Sequence, residues 1–286
     1  MGSVFKIGSA TFDFSKNVYV MGILNVTPDS FSDGGFYHSP QVALQRALQM
    51  EEEGADLIDL GAESTRPGAA EISVSEEWRR LSPVLEALQG KLKVPLSLDT
   101  RKAEIARRAL PLGVALINDV SGFAWDPEML PFLRESRVPA VLMHSRGTPE
   151  TMGKLTQYGS VVKEVFGFLE ARLQELEEKG VERKRLVVDP GFGFAKTPEQ
   201  NVELLSHLKR FQEWGRPVLV GLSRKSFLDK YFAPSLSPGE RGGATEVAHT
   251  LAVLRGANIL RVHDVKAARN TIRFAQACRL THEENP

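Results

Sequence analysis

The sequence predicts an α/β fold in one domain over residues 1–286, a closed (β/α)8 barrel of the TIM type preceded by a short N-terminal β-hairpin. Three observations predict it. Eight short apolar runs alternate with helical stretches, each run leads into polar or ionisable residues, and three runs share one repeated pattern. The length of 286 residues suits a barrel of roughly 250 residues with short additions.

The polar ends of the apolar runs are the most informative feature of the chain. Parallel (β/α)8 barrels meet their ligands at the C-terminal ends of the strands. The runs are VYVMGIL before Asn25, LIDLG before Glu63, PLSL before Asp99, ALI before Asn118, PAVLM before His144, RLVV before Asp189, PVLVGL before Ser223 and NIL before Arg261. The polar groups therefore lie where a binding site is expected.

A weak internal repeat supports the barrel. It covers residues 54–59, 113–118 and 256–261. Each copy begins with a glycine that is expected to end a helix in the left-handed conformation, and a short apolar stretch then leads to a polar residue at the same offset. We therefore expect Asp59, Asn118 and Arg261 at a similar height near the upper rim, where a buried ionisable group needs a partner or a ligand.

Local signals define the first hairpin and several helices. Residues 3–14 predict a small β-hairpin that plugs the bottom of the barrel. Ser39, Asp126 and Thr197 each precede a proline, a pattern typical of an N-cap followed by proline at the first helical position. Gln200 completes a capping box with Thr197.

Composition excludes several classes of protein. Lysine plus arginine and aspartate plus glutamate number 36 each, so the net charge of zero gives no general attraction to nucleic acid or to an anionic membrane. The single cysteine, Cys278, excludes an internal disulfide and fits a reducing compartment. Neither an apolar signal core nor a run of membrane-spanning length is present. We expect a soluble cytoplasmic protein without nucleic-acid or membrane partners.

The loop after the first barrel strand, residues 25–35, is long for a βα connection, where about two to six residues are usual. It is rich in turn-forming residues and carries one aromatic residue, Phe31. It is either a mobile lid that closes on a substrate or an ordinary solvated loop.

Cationic residues follow the second and the last barrel strands. Arg66 offers a planar donor fork beside the Thr65 hydroxyl. Arg261 and His263 alternate on the last strand, so both point to one face. The set suits a di-anion such as pyrophosphate, with surface ion pairs as the alternative. No second histidine or carboxylate lies at metal-ligand spacing from His263, whereas His144 is either a ligand or a packed histidine.

A second group offers acceptors. Asp99, Asn118 and Asp189 come from three strands, and together they can bind a flat heterocycle that has several N–H donors. A site of this kind rejects analogues that lack the donors. Lys225 supplies a complementary donor. The alternative for Asp99 is a helix cap. The sequence has no Gly-x-Ser-x-Gly motif and no Cys–His pair, so nucleophilic catalysis by the protein has no support.

Together these segments resemble the dihydropteroate synthase family, in order and over nearly the whole chain. The matching segments are MGILNVTPDSFSDGG at 21–35, ESTRPG at 63–68, SLDT at 97–100, IND at 117–119, MH at 143–144, DPGFGF at 189–194, SRKS at 223–226 and RVHDV at 261–265. One departure is Ala62, where Gly-Gly-Glu is common in the family.

The resemblance implies a reaction in which 4-aminobenzoate displaces pyrophosphate from (7,8-dihydropterin-6-yl)methyl diphosphate, giving 7,8-dihydropteroate for folate synthesis. It also implies Mg2+ as the cofactor, with Asn25 as its ligand, and a homodimer. The helices over residues 240–255 and 269–279 are the surfaces to inspect for that dimer.

Roles for individual residues also follow from the resemblance. The pterin is expected to contact Asp99, Asn118, Met143, Asp189, Gly221 and Lys225. The diphosphate is expected to contact Asn25, Thr65, Arg66, Arg261 and His263. The aminobenzoate is expected to contact Phe31, Pro67, Phe194, Lys225 and Ser226. The catalytic set is expected to be Asp99, Lys225, Arg261 and His263.

Two other functions remain open at this point. A pterin-binding methyltransferase, which moves a methyl group from methyltetrahydrofolate to a corrinoid protein, could share the acidic residues but does not need the magnesium ligand or the anion site. A catalytically silent barrel would bind the pterin and release no pyrophosphate when 4-aminobenzoate is added.

Overall fold

The computed structural model describes residues 4–27, 39–66, 68–232, 237 and 239–283. Within these residues the chain forms a parallel sheet of eight strands in the order β8-β7-β6-β5-β4-β3-β10-β9. A parallel bridge between Val188 and Val218 joins its two ends, so the sheet closes into the predicted barrel. The barrel strands are β3 Tyr19–Asn25, β4 Leu57–Gly61, β5 Leu96–Asp99, β6 Val114–Asp119, β7 Ala140–Met143, β8 Leu186–Asp189, β9 Leu219–Val220 and β10 Ile259–Val262.

Helices surround the sheet and connect its strands. They are α1 Pro40–Glu52, α2 Val74–Leu88, α3 Ala103–Ala109, α4 Met129–Ser136, α5 Val161–Glu178, α6 Pro198–Ser206, α7 Gly242–Leu254 and α8 Val265–Glu283. Parallel strands need such crossovers, and their apolar faces bury the outer face of the sheet. In the part of the chain that the structure describes, no helix combines the length and apolarity needed to cross a membrane.

The N-terminal hairpin closes the bottom of the barrel, as predicted. Strands β1 Val4–Ile7 and β2 Ala10–Asp13 pair antiparallel. The side chains of Phe5, Ile7, Phe12 and Phe14 are buried in one cluster with side chains inside the barrel. Those inner residues are Met21, Leu57, Leu116, Val141, Val187, Leu219 and Ile259. The lower half of the barrel is therefore packed apolar core, and polar chemistry is confined to the other end.

Two of the predicted helix starts are confirmed and one is wrong. Helix α1 follows Ser39 with Pro40 at its first position. Thr197 and Gln200 form the full capping box of α6. Helix α4, however, begins only at Met129. The carboxylate of Asp126 instead accepts hydrogen bonds from the backbone N–H groups of Glu128 and Ala103, and it ties this turn to α3.

The three repeated glycines adopt the left-handed conformation that the repeat predicted. Gly54, Gly113 and Gly256 have φ values of 100°, 98° and 98°. Each turns the chain from a helical segment into the following strand. Strand register then aligns the polar ends, because Asp59 pairs with Ser97 and Asp99 pairs with Asn118 in adjacent strands.

Candidate active site

Asp59 lies at the centre of a hydrogen-bond network that spans the mouth of the barrel. Its side chain is fully buried. Oδ1 accepts from Ser97 Oγ at 2.6 Å, and Oδ2 accepts from Asn118 Nδ2 at 2.9 Å and from Arg261 Nε at 2.6 Å. The three polar residues of the repeat therefore meet at one height, as predicted. The network fixes the Asn118 amide and the Arg261 guanidinium before any ligand arrives.

Arg261 also contacts the acid at the end of β5. Its Nη2 donates to Asp99 Oδ2 at 2.7 Å, so one guanidinium lies between two carboxylates. Burial raises the pKa of Asp99 to about 7; Arg261 opposes that shift, and the nearby carboxylate of Asp59 adds to it. The pKa of Asp99 is therefore raised even though its carboxyl is paired with Arg261.

Asp189 and Lys225 form a second part of the rim. Oδ1 of Asp189 accepts from the N–H of Gly191 at 2.7 Å, and burial raises the pKa of this carboxyl to about 6. Burial and the charge of Arg261 lower the pKa of Lys225 to about 8. Its Nζ lies 4.5 Å from the ring centroid of Phe194, which places an ammonium over an aromatic face. Met143 is buried in a small cluster with Phe194.

His263 contributes a neutral ring and not a cation. Burial, together with the positive charges of Arg224, Arg261 and Arg66, lowers the pKa of His263 to about 3. Its Nδ1 lies 3.0 Å from Ser223 Oγ. Arg66 and Arg261 both contribute to this lowering of the His263 pKa. The histidine can offer a hydrogen bond to an anion without carrying charge.

The remaining predicted residues lie around the same rim or outside the described residues. Asn25 ends β3 and is half-buried. Thr65 is half-buried and Arg66 is exposed, in the segment after β4. Gly221 follows β9 with open space where a side chain would be, and Ser226 is exposed at the start of a 3-10 turn. Phe31, Pro67 and most of the predicted lid, residues 28–35, lie outside the described residues.

The environment of Asn25 is compatible with a magnesium ligand. Gly61 lies close beside it, since a Cβ at that position would lie only 3.4 Å from Asn25 Oδ1 and 3.3 Å from Asp99 Cβ. A side-chain amide oxygen can serve as one ligand of a hard cation. Among the described residues, no cluster of three or more His, Cys, Asp or Glu side chains could hold a metal by itself. Any Mg2+ here needs further oxygen ligands from a substrate and from water.

Comparison with known proteins identifies the family. A family model described as "Pterin binding enzyme" matches residues 21–263. The dihydropteroate synthase of Synechocystis sp. is 44% identical over 271 residues, which cover 95% of this chain and 93% of that protein. The dihydropteroate synthase of Escherichia coli K12 is 41% identical over 267 residues, or 93% of each chain.

The chain belongs to the dihydropteroate synthase family of pterin-binding enzymes. Solved structures agree. Xanthomonas albilineans dihydropteroate synthase with 4-aminobenzoic acid superposes with a TM-score of 0.90 at 43% identity, covering 98% of this chain and 99% of that chain. The same enzyme in complex with 7,8-dihydropteroate gives a TM-score of 0.86 at 41% identity, covering 96% and 98%.

Sequence reasoning missed several residues that organise this candidate site. Asp59 was expected at the rim from the repeat, but it was not assigned to the site. Ser97 lies in the matching SLDT segment but has no predicted role, because a serine in a strand is unremarkable before its partner is known. His144 is packed, since it is buried and its ring lies 4.9 Å from Phe168 in an edge-on arrangement.

A buried ion network was also missed, and it anchors the segment that carries Thr65 and Arg66. Glu63 accepts from Lys102 Nζ at 3.0 Å and from the backbone N–H of Ile72 at 3.0 Å. Lys102 also donates to Glu77, which is fully buried, at 2.6 Å. Paired charges of this kind are needed to bury these carboxylates. They hold the start of the segment against α2 and the end of β5.

Proposed function

We propose that this chain is a transferase that joins the exocyclic methylene carbon of (7,8-dihydropterin-6-yl)methyl diphosphate to the amino nitrogen of 4-aminobenzoate. The carbon–oxygen bond to the diphosphate breaks, and pyrophosphate leaves with the electron pair. A carbon–nitrogen bond forms, and the nitrogen loses one proton to water. The observation that carries the proposal is the juxtaposition of Asp99 with Arg261, which joins an acceptor for the ring to a cation for its leaving group.

The acceptors would bind the pterin. Asp99, Asn118 and Asp189 present oxygens from β5, β6 and β8 around one mouth, and Lys225 supplies a donor to a ring carbonyl or nitrogen. The acids become stronger acceptors when they ionise. A flat ring with an amidine-like edge can give a carboxylate two parallel hydrogen bonds. Met143 and Gly221 would line the space for the ring.

The leaving group would lie beside Arg66, Thr65, Arg261 and His263. Donors that are already oriented stabilise charge developing on the departing oxygen without further reorganisation. The Asp59 contact orients Arg261 in this way. Asn25 would hold Mg2+ together with diphosphate oxygens, and the ion would neutralise part of the charge on the leaving group.

The substitution needs no protein nucleophile. The cation that develops on the methylene carbon is delocalised into the electron-rich dihydropterin ring, and a nearby carboxylate such as Asp99 is stabilised in its ionised form by that cation. An aniline nitrogen is uncharged at neutral pH and can attack without a strong base. Phe194, Lys225 and Ser226, together with Phe31 and Pro67, would frame the aminobenzoate.

Pyrophosphate release tests the function directly. The purified protein is assayed with both substrates and Mg2+, with each substrate omitted in turn, and with EDTA in excess. Pyrophosphate and 7,8-dihydropteroate in equal amounts, lost on omission of either substrate and suppressed by EDTA, support the proposal. Binding of the pterin without pyrophosphate release on addition of 4-aminobenzoate would refute it.

We also propose a cytoplasmic homodimer that forms through α7 and α8. Exposed apolar residues lie on both helices, Val247, Leu251 and Leu254 on α7 and Phe274 on α8, and Phe274 is 71% exposed. Substituting Leu251 and Phe274 together by glutamate should give a monomer in light scattering, whereas Val202→Glu on α6 should not. A wild-type protein that is monomeric at assay concentrations contradicts this arrangement.

A further inference from the structure

Lys196 is a buried lysine that the reaction described above does not use. It follows the glycine-rich segment after β8, and its side chain is only 8% exposed. Its Nζ contacts three polar atoms: it donates to the carbonyl oxygen of Gly191 at 2.8 Å and to that of Phe194 at 2.9 Å, and it lies 3.0 Å from Nδ1 of His144. A buried lysine whose Nζ is bound on three sides within the protein is held in one arrangement.

The two carbonyl contacts assign Lys196 Nζ as their donor. An ammonium has three N–H donors, whereas a neutral amine has two. Burial lowers the pKa of His144 to about 2, so its ring is neutral and Nδ1 can accept a hydrogen bond. Burial likewise lowers the pKa of Lys196 to about 7, while the charge of Asp189 opposes that shift. The two carbonyl acceptors favour the charged form of the lysine, in opposition to burial.

The two carbonyl contacts are made to a segment with an unusual backbone conformation. Gly191, Gly193 and Ala195 have φ values of 72°, 80° and 48°, so three of five consecutive residues are left-handed. For alanine this conformation is strained. The backbone N–H of Phe194 returns to the carbonyl of Gly191 at 3.2 Å, and the Lys196 ammonium bridges the carbonyls of the same two residues. Lys196 therefore joins the two ends of the Gly191–Phe194 turn from its buried side.

The two residues that Lys196 binds, Gly191 and Phe194, are in direct contact with residues of the candidate site. Gly191 carries the N–H that binds Asp189 Oδ1 at 2.7 Å. Phe194 carries the ring that lies 4.5 Å from Lys225 Nζ. Displacement of the Gly191–Phe194 turn would therefore move both an acceptor proposed for the pterin and a wall proposed for the aminobenzoate.

We infer that Lys196 is a positioning residue: its ammonium binds the carbonyls of Gly191 and Phe194 and thereby fixes the Asp189 carboxylate and the Phe194 ring for substrate. The inference rests on the proposed function for the identity of those substrates. It does not involve the anion side of the site, because Arg66 lies in the segment after β4 and Arg261 lies on β10, where Asp59 holds it.

Two substitutions separate charge from geometry. Lys196→Met keeps the length of the stem and removes the ammonium. Lys196→Arg keeps the charge, but its planar guanidinium cannot meet three polar atoms that converge on a single nitrogen. Lys154→Met, an exposed lysine in the neighbouring 3-10 turn, is the matched control for loss of one positive charge. Misplacement of a substrate-positioning group by about 1 Å can cost roughly a hundredfold in rate.

The expected result is a selective loss. In both Lys196 variants the KM for 4-aminobenzoate rises about tenfold to a hundredfold, while the Kd for inorganic pyrophosphate with Mg2+ stays at the wild-type value. Lys154→Met behaves as wild type. Hydrogen exchange of the peptide over residues 189–197 becomes faster in Lys196→Met, because the N–H groups of Gly191, Gly193 and Phe194 lose their fixed partners.

Three results would overturn the inference. One is a wild-type KM in a folded Lys196 variant. Another is equal weakening of pyrophosphate and 4-aminobenzoate binding, which would assign the lysine to general folding. The third is unchanged exchange over residues 189–197. If Lys196→Met does not unfold cooperatively, the KM and exchange measurements on Lys196→Arg test the inference instead. If the wild-type protein forms no dihydropteroate, the proposed function fails. The exchange measurement then still tests whether Lys196 holds the Gly191–Phe194 turn.

Discussion

Asp59 and Arg261 are joined at 2.6 Å across the mouth of the barrel, between strands β4 and β10, and the carboxylate of the pair is completely buried. Arg261 therefore cannot turn freely towards solvent. Its Nε is held by Asp59 and its Nη2 by Asp99, so the guanidinium is oriented before a ligand binds. This preorganisation is what an anion site needs in order to act on a transition state.

Replacement of Asp59 should destabilise the protein strongly. Asp59→Asn removes the buried charge that balances Arg261 and turns one acceptor into a donor. Breaking a buried pair in this way typically costs about 3–5 kcal/mol in the free energy of unfolding. Urea unfolding measures the change. Glu104→Gln, which breaks the exposed pair with Arg108, should cost only about 0.2–1 kcal/mol. Similar losses in the two variants would contradict the assignment of Asp59.

Replacement of Arg261 should slow the reaction, and lysine at this position should restore little of the lost rate. Arg261→Ala is expected to lower the rate of pyrophosphate release about a hundred- to a thousandfold, the usual effect of removing one oriented donor. Arg261→Lys should recover little of this, because an ammonium cannot reach Asp59, Asp99 and the anion with a fork. Steady-state kinetics with both substrates checks the prediction. Turnover like that of wild type in Arg261→Ala would refute the proposed role.

Pterin affinity and unliganded stability should change in opposite directions with pH. Burial raises the pKa of Asp189 from 3.8 to about 6. Between these values the native protein binds more protons at this site than the unfolded chain does. The stability that this group contributes is therefore complete below about pH 4 and is lost as pH rises through about 6. Ionised Asp189 is the better acceptor, so pterin binding should strengthen over the same interval.

The comparison with Asp189→Asn isolates this single group. Other carboxylates titrate in the same range, so the quantity to follow is the difference in unfolding free energy between wild type and Asp189→Asn at pH 4, 5, 6 and 7. As pH rises, the unfolding free energy of wild type should fall relative to that of Asp189→Asn. Calorimetric titration with a pterin should show a steeper pH dependence in wild type than in the variant. A difference that does not vary with pH would rule out the raised pKa.

The ends of the strands were predictable because a parallel barrel gathers them at one face, whatever the details of side-chain packing. The repeat even predicted that Asp59, Asn118 and Arg261 would lie at one height. The sequence pattern could not identify the hydrogen-bond partners of the buried polar side chains. Ser97 and Lys196 bond to atoms 38 and 52 residues away in the chain, those of Asp59 and His144, and no local pattern encodes such a contact.

Charge states were the other part that sequence could not supply. Residue type alone leaves the charge of His263 open. Burial and the surrounding cations, which only the fold creates, make it neutral. The start of α4 was placed too early for a related reason. The Asp126 carboxylate binds the backbone N–H of Ala103 as well as that of its own turn, and this tertiary contact was not visible in the Asp-Pro pattern.

Gly191 provides the most direct test of the loop that follows β8. A Cβ at this position would lie 1.9 Å from the carbonyl oxygen of His144, and the residue has a φ of 72°. Gly191→Ala therefore combines a left-handed alanine, which costs about 1–2 kcal/mol, with a backbone clash that only a shift of the loop relieves. We expect a loss of unfolding free energy well above that of the conformational term alone, together with weaker 4-aminobenzoate binding as Phe194 moves.

Gly90→Ala supplies the reference value for the strain, because Gly90 has a φ of 67° and no atom within 4 Å of an added Cβ. It should cost only about 1–2 kcal/mol in urea unfolding and leave KM unchanged. The excess loss in Gly191→Ala measures how firmly the loop is held against His144. If both alanine variants lose the same free energy and bind 4-aminobenzoate equally well, the loop yields without cost, and the close approach of Gly191 to His144 has no bearing on the site.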